Sequence, residues 1–125
     1  MRFINLMAVI GVVFYASTSL ANSHNQQENI LSGIASYYGG RHNGRLTASG
    51  DIFDSSKMTA AHRSLPFGTK IKVTNLENGN SIVVEITDRG PAKWTGRIID
   101  VSTAAARKLG MIKSGVAQVT LQIVR

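Results

Sequence analysis

The amino-acid sequence predicts a mainly β fold, a small barrel decorated by one or two short helices. Three observations lead there. Residues 69–75 and 116–124 alternate apolar and polar side chains, with Ile71 and Val73 on one face of the first and Val119, Leu121 and Ile123 on one face of the second. Residues 81–87 place Ile82, Val84 and Ile86 on one face and follow the first stretch across a connection containing Asn78-Gly79, the signature of a β-hairpin. Only residues 102–109 read clearly as helix, with Ser102 as the cap, an Ala104-Ala105-Ala106 interior and Gly110 to close it. A chain of 125 residues suits one such domain.

From the N-terminus, residues 1–21 carry Arg2, an apolar run over 6–15 and the small residues Ser19 and Ala21 at the −3 and −1 positions. This is the pattern of a cleavable export signal, and the run is too short to span a membrane. Residues 22–32 begin with a polar stretch lacking periodicity and form a flexible leader, and 33–125 form the barrel domain. Residues 33–39 read as a short strand between glycines. Residues 39–50 read as loop, marked by Gly39-Gly40, Asn43-Gly44 and Ser49-Gly50. Residues 59–63 suggest one helical turn that Pro66 cuts short, and 96–101 suggest a short strand.

Composition narrows the chemistry. With no cysteine there is no disulfide framework, no thiolate metal site and no cysteine nucleophile. The three histidines, His24, His42 and His62, lack ligand spacing, and neither a metal nor a cofactor is expected. Fourteen basic against seven acidic residues give a net charge of +7, which favours polyanionic surroundings. Export makes a wall polymer a better partner than nucleic acid.

With so few carboxylates, each can be weighed. Glu28 lies in the leader and Glu77 at a hairpin tip, while Glu85 sits mid-strand opposite the apolar positions and is expected to face solvent. Asp88 ends a strand and opens Asp88-Arg89-Gly90-Pro91, a place where a rigid scaffold presents functional groups. A turn-stabilising role is the competing reading. Asp100, just before Ser102, is expected to bond backbone amides there, and His62 among alanines to be a half-buried, satisfied imidazole.

The segments Gly33-Ile34-Ala35-Ser36-Tyr37-Tyr38-Gly39, Gly44-Arg45-Leu46-Thr47-Ala48-Ser49-Gly50, Thr59-Ala60-Ala61-His62-Arg63-Ser64-Leu65-Pro66-Phe67-Gly68-Thr69, Asp88-Arg89-Gly90-Pro91 and Gly96-Arg97-Ile98-Ile99-Asp100-Val101-Ser102 occur in this order. Together they closely resemble the double-psi β-barrel domain of the rare lipoprotein A family, over nearly the whole chain after the signal. The resemblance implies a six-stranded barrel and a lytic transglycosylase, a lyase that cleaves peptidoglycan between N-acetylmuramic acid and N-acetylglucosamine and leaves a 1,6-anhydro end. It places the family's catalytic aspartate on Asp88, its supporting histidine on His62, and a third acid, usually glutamate, on Asp51.

One carboxyl suffices for such a reaction if it protonates the glycosidic oxygen and then accepts the proton of the attacking C6 hydroxyl, whereas ordinary glycosidases need two. Tyr37, Tyr38 and Trp94 are candidate stacking surfaces for the sugar, with Arg45, Thr47 and Arg89 as polar contacts. The signal lacks a lipobox cysteine, so the expectation is a periplasmic or secreted protein without a stable membrane anchor, and no glycan-binding repeat follows the barrel, so a preference for peptide-stripped strands is expected to be lost. A monomer is expected. A non-catalytic, expansin-like module that binds wall polysaccharide is the alternative.

Overall fold

The computed structural model describes residues 30–125. The expected export signal and residues 22–29 of the expected leader lie outside them. Six strands and one α-helix follow in order: β1 (Ile30–Tyr38), β2 (Thr59–Ala61), β3 (Lys70–Asn75), β4 (Ser81–Asp88), β5 (Arg97–Ser102), α1 (Thr103–Leu109) and β6 (Val116–Ile123). The strands close into a barrel in the order β1-β5-β2-β4-β3-β6. The pairs β1–β5 and β2–β4 are parallel and the others antiparallel.

The hairpin β3–β4 forms as its alternation requires. Ile71 and Val73 of β3, Val84 and Ile86 of β4, and Val119 and Leu121 of β6 all point into the core. Each such side chain taken fully out of water contributes roughly 1.5–3 kcal/mol before conformational entropy is charged against it. Helix α1 adds Ala105, Ala106 and Leu109 to the same core. Ser102 caps it by accepting the Ala105 N–H at 3.2 Å, and Gly110 ends it in the left-handed region at φ 71°. Asn75 at the end of β3 and two asparagines of the β3–β4 connection then cover its free carbonyls: Asn75 and Asn78 donate to Leu109 O and Asn80 donates to Lys108 O.

Two elements differ from the sequence-based expectation. Residues 59–61 are a strand, not a helical turn. Alanine favours helix locally, but here Ala60 and Ala61 are held between β4 on one side and β5 on the other, and those ladders override local preference. Strand β1 begins at Ile30, where the leader was expected to continue to 32. Ile30, Leu31 and Ser32 pair with Gln122, Leu121 and Thr120 of β6, a long-range pairing without a local signal.

Strand register positions the functional face. In β5, Ile99 and Val101 are buried in the core, so Asp100 between them points to the opposite face. In β4, strict alternation would send Asp88 inward with Val84 and Ile86. A bulge prevents this: Ala60 pairs with Ile86, but Ala61 pairs with Asp88, leaving Thr87 as the extra residue. The bulge re-aims Asp88 onto the outward face that carries Ala61.

Candidate active site

Ala61 of β2 is paired with Asp88 of β4 on one side and with Asp100 of β5 on the other. Directly paired residues share a face, so the two acids flank one small side chain. Their backbones lie two strand spacings apart, about 9–10 Å. Ser36 of β1 pairs with Asp100 and donates its hydroxyl to Asp100 Oδ1. Two residues further along β1, Tyr38 lies on the same face. This row forms the floor of a groove of about 370 Å³, lined by Tyr38, Ala61, Asp88 and Asp100 and walled by His42, Arg45, Leu46, Thr47 and Arg89.

Asp88 Oδ1 accepts the backbone N–H groups of Ala48 at 3.0 Å and Arg89 at 2.9 Å. The loop bearing Ala48 is thereby tied to the strand end. No described residue hydrogen-bonds Asp88 Oδ2. Arg89 does not pair with the carboxylate. Its guanidinium stacks on the Phe67 ring at 3.9 Å and donates to Leu65 O at 2.9 Å.

The Tyr38 ring packs against Phe53 and, edge-on, against His42, with centroids 4.7 and 5.6 Å away. Its hydroxyl is buried without a partner. Burial raises the phenol's pKa above its ordinary value, and the charges of Asp88 and Asp100 raise it further.

A second cavity of about 330 Å³ adjoins the first, and Thr47 and Phe53 line both. Asp51 lies here, its Oδ2 accepting the Ser49 hydroxyl at 3.2 Å. Lys57, Thr59, Glu85 and Thr87 contribute from β2, β4 and the preceding loop. Glu85, expected to face solvent, is half-buried and pairs with Lys70 at 3.0 Å. Asp54 completes the rim, held below its ordinary pKa by hydrogen bonds from the Ser56 hydroxyl and amide.

The other residues singled out in the sequence divide between the groove and elsewhere. Arg45, Thr47, Arg89 and Tyr38 line the Asp88 groove, but Tyr38 packs its ring among aromatic neighbours and has its hydroxyl buried. Tyr37 points the other way, packs on the core and donates to Ile112 O at 3.1 Å. Trp94 stands 88% exposed on the Lys93–Thr95 turn and lines neither cavity.

His62 joins Asp88 through the backbone, its N–H donating to Asp88 O at 3.1 Å. The imidazole faces its own turn: Nδ1 accepts the amides of Ser64 and Leu65, both at 3.1 Å. Those bonds make Nδ1 the unprotonated nitrogen. Burial, with the charges of Arg63 and Arg89, lowers the imidazole's pKa below its ordinary 6.5. Among the described residues, no hydrogen bond joins the His62 and Asp88 side chains directly.

Asp100 is the main residue that sequence reasoning assigned elsewhere. Ser102 alone supplies the cap, and Asp100 turns to the groove. The alternation Ile99-Asp100-Val101 carries that signal.

The family model described as "Lytic transglycolase" matches residues 30–121. A protein of Synechocystis sp. named "Probable endolytic peptidoglycan transglycosylase RlpA" is 55% identical over 98 residues, covering 78% of this chain and 30% of that protein. The "Endolytic peptidoglycan transglycosylase RlpA" of Vibrio cholerae serotype O1 is 50% identical over 93 residues, covering 74% of this chain and 35% of its own length. The chain thus spans about a third of the length of these curated relatives.

Among solved structures, the Streptomyces papain inhibitor superposes with a TM-score of 0.63 at 27% identity, covering 78% of this chain and 96% of the inhibitor. A Clavibacter michiganensis expansin, solved with cellohexaose, gives a TM-score of 0.62 at 23% identity, covering 77% and 50%, a likeness of fold alone. The sequence match and the closed six-stranded barrel agree: the chain belongs to the RlpA family of double-psi β-barrel domains.

Proposed function

We propose that this protein is an exported peptidoglycan lytic transglycosylase that remodels the cell wall. It cleaves glycan strands between N-acetylmuramic acid and N-acetylglucosamine and leaves 1,6-anhydro ends. The observation that carries the reading is the row Asp88, Ala61, Asp100, two carboxylates flanking a small residue on the floor of an open groove. The names of the relatives support the substrate class.

Asp88 acts through Oδ2, since Oδ1 is occupied by two amides. Its carboxyl gives a proton to the bridging oxygen as the bond from C1 to that oxygen breaks. The C6 hydroxyl of the same muramic residue attacks C1, and its proton passes to the Asp88 carboxylate, which restores the starting state. No water is consumed, and one strand becomes two. Asp100 faces the positive charge that develops at C1, and its bond from Ser36 fixes its orientation. Asp51, across the Thr47 turn from Asp88, and His62, behind the strand end, act as positioning residues. Arg45 on the groove wall meets a lactyl or peptide carboxylate.

The test is digestion of isolated sacculi with product identification by mass spectrometry. Fragments ending in 1,6-anhydromuramic acid support the reading. Fragments bearing only reducing ends point to hydrolysis and overturn it. Binding to sacculi without soluble product would favour the polysaccharide-binding alternative.

A further inference from the structure

Trp94 is the single tryptophan of the chain and, among the described residues, its most exposed large apolar side chain. The turn that carries it builds this exposure in. The Thr95 amide and hydroxyl both donate to Ala92 O, at 3.0 and 2.7 Å, and Gly96 closes the turn in the left-handed region at φ 73°. The Thr95 hydroxyl also accepts the Arg97 N–H at 3.2 Å. These bonds fix the Lys93–Thr95 turn without using the indole, which lines neither cavity. An indole held out in this way offers an apolar body with one polar N–H, the combination that settles at a membrane–water interface.

The charge around the turn is of one sign. Lys93 and Arg97 flank Trp94 in the chain, and both are exposed. Arg63 enters from the β2–β3 loop and donates to Pro91 O at 2.9 Å and to Arg97 O at 2.7 Å, which sets a third cation against the same turn. Residues 61–69 and 89–99 contain neither Asp nor Glu, and among the described residues none of the three cations has a carboxylate partner. The described carboxylates other than Glu77 line the two cavities instead.

We propose that the Lys93–Thr95 turn docks on an anionic lipid surface, with the Trp94 indole in the interface and Lys93, Arg97 and Arg63 against lipid phosphates. Charge complementarity selects this occupant. A soluble polyanion would meet the cations and leave the indole bare, and a neutral glycan would cover the indole and leave the cations unmet. An anionic bilayer interface uses both. One indole and three cations give a reversible contact, not an anchor. The proposal goes beyond the glycan reading and does not depend on it, because Trp94 lies outside both cavities.

With one tryptophan in the chain, fluorescence reads Trp94 alone, whatever other segments do at a membrane. The full chain is titrated with vesicles of equal parts phosphatidylglycerol and phosphatidylcholine, or of phosphatidylcholine alone, both with brominated acyl chains as quenchers. Trp94 emission should shift to the blue and be quenched by the anionic vesicles, with half-quenching by phosphatidylcholine requiring about tenfold more lipid or greater. Lys93→Gln with Arg97→Gln should raise the anionic lipid needed for half-quenching about tenfold or more, from the loss of two cations at the surface. Lys72→Gln with Lys113→Gln removes the same charge from exposed positions elsewhere and should raise it less than about threefold.

All four side chains are exposed, so the melting temperatures of both double variants should match wild type. Unquenched Trp94 in anionic vesicles, equal quenching by the two kinds of vesicle, or equal losses in the two double variants would overturn the docking. Emission that responds to the soluble β-1,4 tetramer of N-acetylglucosamine and not to vesicles would make the indole a sugar contact and overturn it as well.

Discussion

Replacing Ser102 with alanine should destabilise the barrel by about 2 kcal/mol, out of a total of roughly 5–15 kcal/mol for such a domain. Ser102 is fully buried and its hydroxyl does two things at once. It accepts the Ala105 N–H at 3.2 Å, capping α1, and donates to Lys57 O at 2.6 Å. Loss of the cap costs about 1 kcal/mol. The second bond adds about 1 kcal/mol, and the Lys57 carbonyl keeps the Thr59 N–H at 3.1 Å, so no unmet acceptor is added. Alanine keeps the Cβ, so little cavity term is added.

Urea denaturation followed by circular dichroism reads the change as a lower midpoint with an unchanged slope. Thr103→Ala is the control, because the Thr103 hydroxyl makes one bond, to Tyr38 O at 3.1 Å, and it should cost about 1 kcal/mol or less. A Ser102→Ala loss below about 1 kcal/mol, or equal to that of Thr103→Ala, would refute the assignment of two linked bonds to one hydroxyl. Since Lys57 lines the second cavity, the variant should also loosen that wall.

Three further predictions concern the site and its supports. The His62 imidazole should titrate below 6.5 by NMR, because burial, Arg63 and Arg89 oppose its charge. The unfolded chain then binds the proton first, so this contribution to stability is complete above the unfolded value and is lost as pH falls through the folded one. A titration at or above 6.5 contradicts the geometry at Nδ1. Ala61→Leu should fill the space between Asp88 and Asp100 and cut product release from sacculi about tenfold or more, and near-normal release would exclude the groove floor as the reaction site. Gly110→Ala should cost about 1–2 kcal/mol in chemical denaturation, since the position has φ 71° and a Cβ there meets Asn78 Nδ2 at 2.7 Å; an unchanged midpoint would argue against this account of the helix end.

What the sequence made legible was local. The Asn78-Gly79 connection, the alternation of β3, β4 and β6, the Ser102 cap and the Gly110 stop each announce themselves within a few residues, and each is present. Strand β2 was hidden because three residues, two of them alanine, carry no strand signal of their own, and only their neighbours make them one. The bulge at Thr87 was hidden for a related reason: it exists only relative to the register of β2.

The site divides along the same line. Asp88 could be read from its strand end and following turn, and Arg45, Thr47 and Arg89 from the motif segments, yet the partnership with Asp100 depends on three strands meeting in register. His62 depends on both the motif and the strand register. Its place beside Asp88 in the chain path is real, but its ring is engaged by its own turn.

The central claim is that the carboxyl of Asp88, in the groove shared with Asp100, breaks glycan strands by transfer to the muramic C6 hydroxyl. Asp88→Asn in the sacculus digest tests it most directly, because asparagine keeps an oxygen for the Ala48 and Arg89 amides while removing the transferable proton. The account predicts 1,6-anhydro products from wild type and none from Asp88→Asn, with both proteins melting at similar temperatures. Undiminished release of 1,6-anhydro products by a folded Asp88→Asn variant would contradict it.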